Sequence, residues 1–159
     1  TNIIGPDDFN PTLRKASPMP NTAISTVEND EKRFAIARKN SPTYVQGRRE
    51  FFKYRELGVT TASQGTMRAQ ITEASAGMSK PTGWHYHICD GQFVYMLSGW
   101  VDLIFADGET VRIEAGDSLY IPGGLPHNET GTSDKFELIE ISVPADMGTE
   151  SCAPPEGIQ

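Results

Sequence analysis

Residues 77–99 read GMSKPTGWHYHICDGQFVYMLSG, and the fold turns on this stretch. His85 and His87 stand two positions apart with Tyr86 between them. Side chains at i and i+2 share a direction on a strand, where successive residues alternate between faces. The spacing predicts a strand with both imidazoles on one side. After four intervening residues, Gln92 opens QFVYMLS, a run that predicts a second strand ending at the turn Ser98-Gly99. His127 follows His87 by forty residues, and the chain has only three histidines, so all of them fall into one candidate site. Imidazole nitrogen is the commonest protein ligand for a borderline divalent metal.

A second stretch runs Gly116-DSLYI-Pro122-Gly123-Gly124-Leu125-Pro126-His127. The two stretches together resemble the paired motifs of the cupin family. The first motif is matched by Gly77, His85, His87, Gln92 and Gly99, and the second by Gly116, Pro122, Gly124 and His127. Three departures are visible. The spacer after Gly77 is longer than the family's, Gln92 stands where the family usually has Glu, and Gly131 stands where Asn is expected. The resemblance spans roughly residues 60–143 and leaves both ends of the chain outside. It implies a double-stranded β-helix, that is, a small jelly-roll barrel. It also implies one divalent metal held by His85, His87 and His127, with Gln92 as a fourth ligand, and pairing into a homodimer through N-terminal strands.

The rest of the chain agrees with an all-β reading. From residue 60 onward we expect strands near 66–74, 83–89, 92–98, 100–106, 109–114, 117–121, 125–130 and 136–143, punctuated by Ser98-Gly99, Asp107-Gly108 and Gly123-Gly124. Many short strands with tight turns indicate a sandwich or barrel. Residues 31–143 form the expected barrel domain. Arg33–Arg38 and Tyr44–Gln46 are candidate short strands, and periodicity leaves Arg48–Leu57 open between helix and strand. Residues 1–30, with Pro6, Pro11, Pro18 and Pro20, read as an extended arm. Residues 144–159, with Pro144, Pro154 and Pro155, read as an extended C-terminal tail.

A chain of 159 residues is long enough for one domain with its own core. A net charge of −7, with no basic cluster larger than Arg48-Arg49, argues against nucleic acid and anionic membranes as partners. No apolar run reaches the length of a membrane span. Cys89 and Cys152 are too few for a disulfide framework, so a reducing, cytoplasmic location is expected. The N-terminus lacks a basic-then-apolar signal pattern.

Several side chains are candidates beyond the histidines. On the strand before the first motif, Arg68 and Gln70 share one face, while Met67, Ala69 and Ile71 share the other. The apolar face is expected to line the barrel; if Arg68 faces inward instead, it would bind a substrate carboxylate. In FELIEISV (136–143), Glu140 is a candidate base near the metal, although a solvated position is the expectation. Tyr120 precedes the loop that carries His127 and is the aromatic residue best placed to touch a ligand. Cys89 is expected on the face of His85 and His87. Asn128-Glu129-Thr130 fits a glycosylation pattern and is read as chance.

Gln92 sets the chemistry. An amide oxygen can ligate a metal, but it brings no charge and cannot accept a proton as a carboxylate does. Three imidazoles with Gln92 keep the full dication charge and so favour an anionic or enolised oxygen ligand. The favoured reading is a non-haem dioxygenase acting on a small enolisable or phenolic substrate, with Fe2+ as the metal and Zn2+, Mn2+ or Ni2+ as alternatives. A non-redox isomerase, lyase or dehydratase is the alternative, and a non-catalytic ligand-binding cupin the second. An inward acid or base beside the metal would indicate the isomerase or lyase. A dry apolar pocket would indicate the oxygenase.

Overall fold

Strands β5 (Gly91–Ser98) and β6 (Trp100–Phe105) show how the sequence builds the barrel. Along β5, Gln92, Val94 and Met96 are buried while Phe93, Tyr95 and Leu97 are exposed. Along β6, Val101 and Leu103 are buried. The alternation is the period of two expected for a sheet with one face on a core. Gly99 joins the two strands at φ 74°. A Cβ there would meet the Lys135 carbonyl oxygen at 2.4 Å, so glycine serves both the turn and the close approach.

The computed structural model describes residues 34–47 and 52–158. Within them lie further strands: β1 (Thr43–Gln46), β2 (Phe52–Glu56), β3 (Arg68–Ala74), β4 (His85–Ile88), β7 (Thr110–Glu114), β8 (Ser118–Pro122), β9 (His127–Thr132), β10 (Phe136–Val143) and β11 (Gly148–Ser151). One short helix, α1 (Val59–Ala62), precedes β3. Two antiparallel sheets result, with strand orders β1-β2-β3-β10-β5-β8 and β11-β4-β9-β6-β7. Apart from the β6–β7 hairpin, each step of the chain from β3 onward crosses from one sheet to the other. That winding is a double-stranded β-helix. Val94, Met96, Val101, Leu103, Ile121 and Leu138 from the two sheets meet in its core.

Some expectations change at the edges. Residues 34–38 form no strand, the described part of the undecided stretch Arg48–Leu57 carries strand β2, and residues 59–62 are helical. The arm expected at 1–30 lies outside the described residues. The segment read as a C-terminal tail carries β11, which pairs with β4 through Thr149 opposite His87 and Ser151 opposite His85.

Strand β3 reverses its expected orientation. Arg68 stands beside Ser142 and Gln70 beside Glu140 on β10, and these in turn stand beside Gln92 and Val94 on β5. Laterally paired residues share a face. Arg68, Gln70 and Thr72 therefore face the barrel interior, and Ala69 and Ile71 lie on the outer side, where they are nonetheless buried. Burial on both faces is why hydrophobicity alone misassigned this strand.

The loop before β9 is tied to the end of β4. The Gly124 N–H donates to the His87 carbonyl at 2.9 Å, and the Gly123 N–H to the Asp90 carbonyl at 3.3 Å. A Cβ on Gly123 would lie 1.6 Å from the Cys89 carbonyl oxygen. The glycine pair thus lets the second motif close onto the first and delivers His127 opposite His85.

Candidate metal centre

His85 and His87 point inward together from β4, as their parity requires, and His127 meets them from the first position of β9. Their ring centroids are 4.5 Å (His85–His127), 5.0 Å (His87–His127) and 5.2 Å (His85–His87) apart. One ring nitrogen from each lies within 4.8 Å of the others. All three rings are largely shielded, and His127 has no exposed surface. Burial pushes the His127 pKa down, and the Leu125 carbonyl and Glu129 only partly oppose this. The ring is held neutral, the state that ligates a metal.

The outward ring nitrogens are occupied. His85 Nδ1 donates to the Gly83 carbonyl at 2.8 Å, and His127 Nδ1 to the Leu125 carbonyl at 2.9 Å. Carbonyl acceptors put the proton on Nδ1 and leave the Nε2 lone pair for a ligand. His87 Nδ1 lies 3.0 Å from the Thr149 hydroxyl, which can accept in the same way. His127 Nε2 is buried with no hydrogen-bond partner in the protein, and so is Gln92 Oε1. Each such orphan costs about 1–3 kcal/mol. A divalent cation at this point would offset both costs, and three imidazoles with one amide oxygen are suitable donors for it. The donor set fits the metal that the motif spacing implies.

Thr149 was not visible as a site residue in the sequence, because it sits on β11. Thr149→Val keeps the shape of the side chain but removes the partner of His87 Nδ1. It is expected to weaken metal binding about 10–100-fold, measured by competition against a chromophoric chelator.

Glu129 is the second missed residue. It follows His127 by two positions on β9 and so shares its inward face. Its carboxylate oxygens lie 3.7 Å from His85 Nε2 and 4.0 Å from His127 Nε2. The Thr82 hydroxyl is in short contact with one of these oxygens, and the Glu129 backbone N–H donates back to Thr82 Oγ1 at 3.0 Å. The sequence reading took Asn128-Glu129-Thr130 only as a chance glycosylation pattern. The informative relation was His127-x-Glu129, which repeats the parity of His85-x-His87.

The other candidates divide. Glu140 lines the interior cavity and lies 3.4 Å from Arg68, so neither residue is on the solvated face expected for it. Tyr120 is 61% exposed and points away from the cavity, its hydroxyl near the Asp90 carbonyl. It lies on the opposite face of β8 from the inward Ile121. Cys89 lies past the end of β4 and does not line the cavity, and burial pushes its thiol pKa up. The cavity itself encloses about 710 Å³. His85, His87 and Glu129 contribute to its wall from the same sheet as Val101, Leu103 and Ile113, and Gln92 contributes from the opposite sheet.

Residues 74–144 match the family model described as the cupin domain. No curated protein matches the chain significantly. Among solved structures, the polyketide cyclase RemF from Streptomyces resistomycificus superposes with a TM-score of 0.61 at 20% identity, over 78% of this chain and 89% of that one. KdgF from Halomonas sp. superposes with a TM-score of 0.55 at 16% identity, over 69% and 94% respectively. The FeII form of HppE does so with a TM-score of 0.55 at 15% identity, over 72% and 62%. At these identities the likeness is one of fold.

Proposed function

We propose that this chain, whose residues 74–144 match the cupin domain, is a metal-dependent enzyme of the non-redox kind, a cyclase, lyase or isomerase acting on a small enolisable oxygen substrate. One observation carries this reading. The Glu129 carboxylate stands beside the inward nitrogens of His85 and His127, in the cavity, held by Thr82. That is the inward acid/base group which separates such enzymes from oxygenases.

A divalent cation held by His85, His87, His127 and Gln92 would supply Lewis acidity toward a substrate carbonyl or enolate oxygen. Glu129 takes the proton from the carbon next to that carbonyl and returns it to the carbon or leaving group on which the reaction ends. Thr82 fixes the carboxylate so that it does not have to reorganise during the transfer. The apolar wall of Val101, Leu103 and Ile113 keeps water from competing for the proton. The polyketide cyclase among the structures of this fold performs chemistry of this general kind by its name.

A dioxygenase is the second reading, supported by the neutral donor set and that same apolar wall. The experiment that separates them is deuterium wash-in from heavy water under nitrogen, with a panel of hydroxyketones and zinc-loaded protein. The non-redox reading expects wash-in well above the uncatalysed rate without oxygen. Turnover found only in air with the iron-loaded protein, with matching oxygen uptake, would replace it with the dioxygenase reading.

Gln92 bears on the same choice. Gln92→Glu is expected to tighten metal binding, since it places a charge against the dication. The same change is expected to lower turnover by neutralising part of the electrophilic charge. Metal affinity and turnover measured side by side test this. Unchanged values for both would remove Gln92 from the centre.

A further inference from the structure

The lengthened spacer after Gly77 forms one side of the cavity. Met78, Lys80, Pro81, Thr82 and Gly83 all line it. Hydrogen bonds tie the spacer to β9 on both sides of Lys80. The Met78 N–H donates to Thr132 Oγ1 at 3.1 Å, and the Thr82 N–H to the Glu129 carbonyl at 3.0 Å. Pro81 disfavours helical backbone at Lys80 and so keeps it extended. Lys80 is exposed and yet lines the cavity, which places it at the mouth. It is the only lysine or arginine among the described residues of the lining. Arg68, the carboxylate binder that the sequence suggested, stands outside the lining and is paired with Glu140 at 3.4 Å. Glu129 and a substrate enolate would together balance a dication held by the histidines. Lys80 is then the one charge of the lining left over. Among the described residues no carboxylate lies within ion-pair distance of it.

We infer that Lys80 determines specificity by pairing with an anionic group, a carboxylate or phosphate, that the substrate carries away from its metal-bound oxygen. The substrate is then an enolisable acid rather than a neutral ketone. The inference deepens the proposed function and rests on its reading of the cavity as the active site. A lysine ammonium is a compact charge with three donors on a flexible stem, so it can follow an anion at the end of a substrate arm. The net charge of −7 repels anions at a distance, and a cation at the mouth offsets this where the substrate enters. The longer spacer thus has a function of its own. It carries the cation over the cavity while Thr82, two residues on, holds Glu129.

Calorimetric titration of the zinc-loaded protein with succinylacetone and with its methyl ester tests this. Both offer the metal the same enolisable diketone, and only the acid carries a charge on its arm. The acid is expected to bind about three- to tenfold tighter, between an exposed ion pair and a charge-assisted hydrogen bond. Lys80→Met keeps much of the stem without the charge. It should cancel that gap while changing the ester less than about twofold, against the wild-type difference. Lys80→Arg should restore the gap. Raising salt from about 0.01 M to about 1 M should shrink it in the wild type, because the screening length falls from about 30 Å to about 3 Å. An acid preference that survives Lys80→Met, or no preference in the wild type, would overturn the inference. Failure of the wild type to bind either ligand would overturn it together with the reading of the cavity. The same titration in Glu129→Gln separates the two claims. A preserved gap there leaves Lys80 standing whatever becomes of Glu129 as the base.

Discussion

His127→Ala is expected to lower divalent-metal affinity more than a hundredfold and to remove metal-dependent stabilisation altogether. Loss of an outer hydrogen-bond partner already costs about 10–100-fold, and this change removes a ligand atom itself. His127 is the sole ligand candidate from the second motif, so what remains is the β4 pair and an amide. In the wild type, zinc at about a hundredfold over its Kd should add about 2.7 kcal/mol to stability. That corresponds to a rise of about 2–4 °C in Tm per kcal/mol for a chain of this size. Thermal unfolding with and without zinc reads both effects. The variant should show no shift on zinc addition, and metal analysis should find it empty. A zinc-dependent Tm shift of wild-type size in His127→Ala would show that the three rings do not form one centre. The fully buried ring makes the control necessary, since its loss also leaves a cavity. Comparing each protein with its own zinc-free form cancels that cost.

The centre was legible because strand parity is a strong local rule. His85-x-His87 fixed a shared face without knowledge of the partner strands, and the glycine-rich loop announced the turn that returns His127. Parity also applied to His127-x-Glu129, a relation that the sequence reading did not draw; it noted there only a chance glycosylation pattern. Two other features resisted for physical reasons. Thr149 reaches His87 only through the pairing of β11 with β4, a contact between residues 62 positions apart that four strand residues do not encode locally. Strand β3 reads backwards because a cavity wall inverts the usual binary pattern. Arg68, Gln70 and Thr72 face the barrel interior, while Ala69 and Ile71 are buried on the other side. Sequence patterning assumes that the interior is apolar, and a functional interior breaks that assumption first. Tyr120 failed in the converse way. Its place just before the His127 loop suggested contact, but Ile121 holds the inward position of that strand and Tyr120 the outward one.

Glu129→Gln is expected to reduce turnover by about 10²–10⁴-fold, the range for losing a positioned acid/base. Metal content and fold should survive. The amide has nearly the same size and can still accept from the Thr82 hydroxyl and the Glu129 position's own strand pairing is a backbone matter. Proton abstraction, by contrast, requires the carboxylate. The effect should therefore appear in kcat, with the metal-induced Tm shift unchanged. Deuterium wash-in should fall in parallel with turnover, because both pass through the same proton transfer. If Glu129 instead ligates the metal, the amide would lower metal affinity, and saturating zinc would restore much of the rate. Turnover lost at saturating zinc with the Tm shift intact supports the base role; turnover within about threefold of wild type, against the expected range, excludes it. Asp at this position is a further check. Glu129→Asp keeps the charge but withdraws it by one methylene, and it should recover part of the rate lost in Glu129→Gln. A carboxylate acting only through its charge would recover nearly all of it.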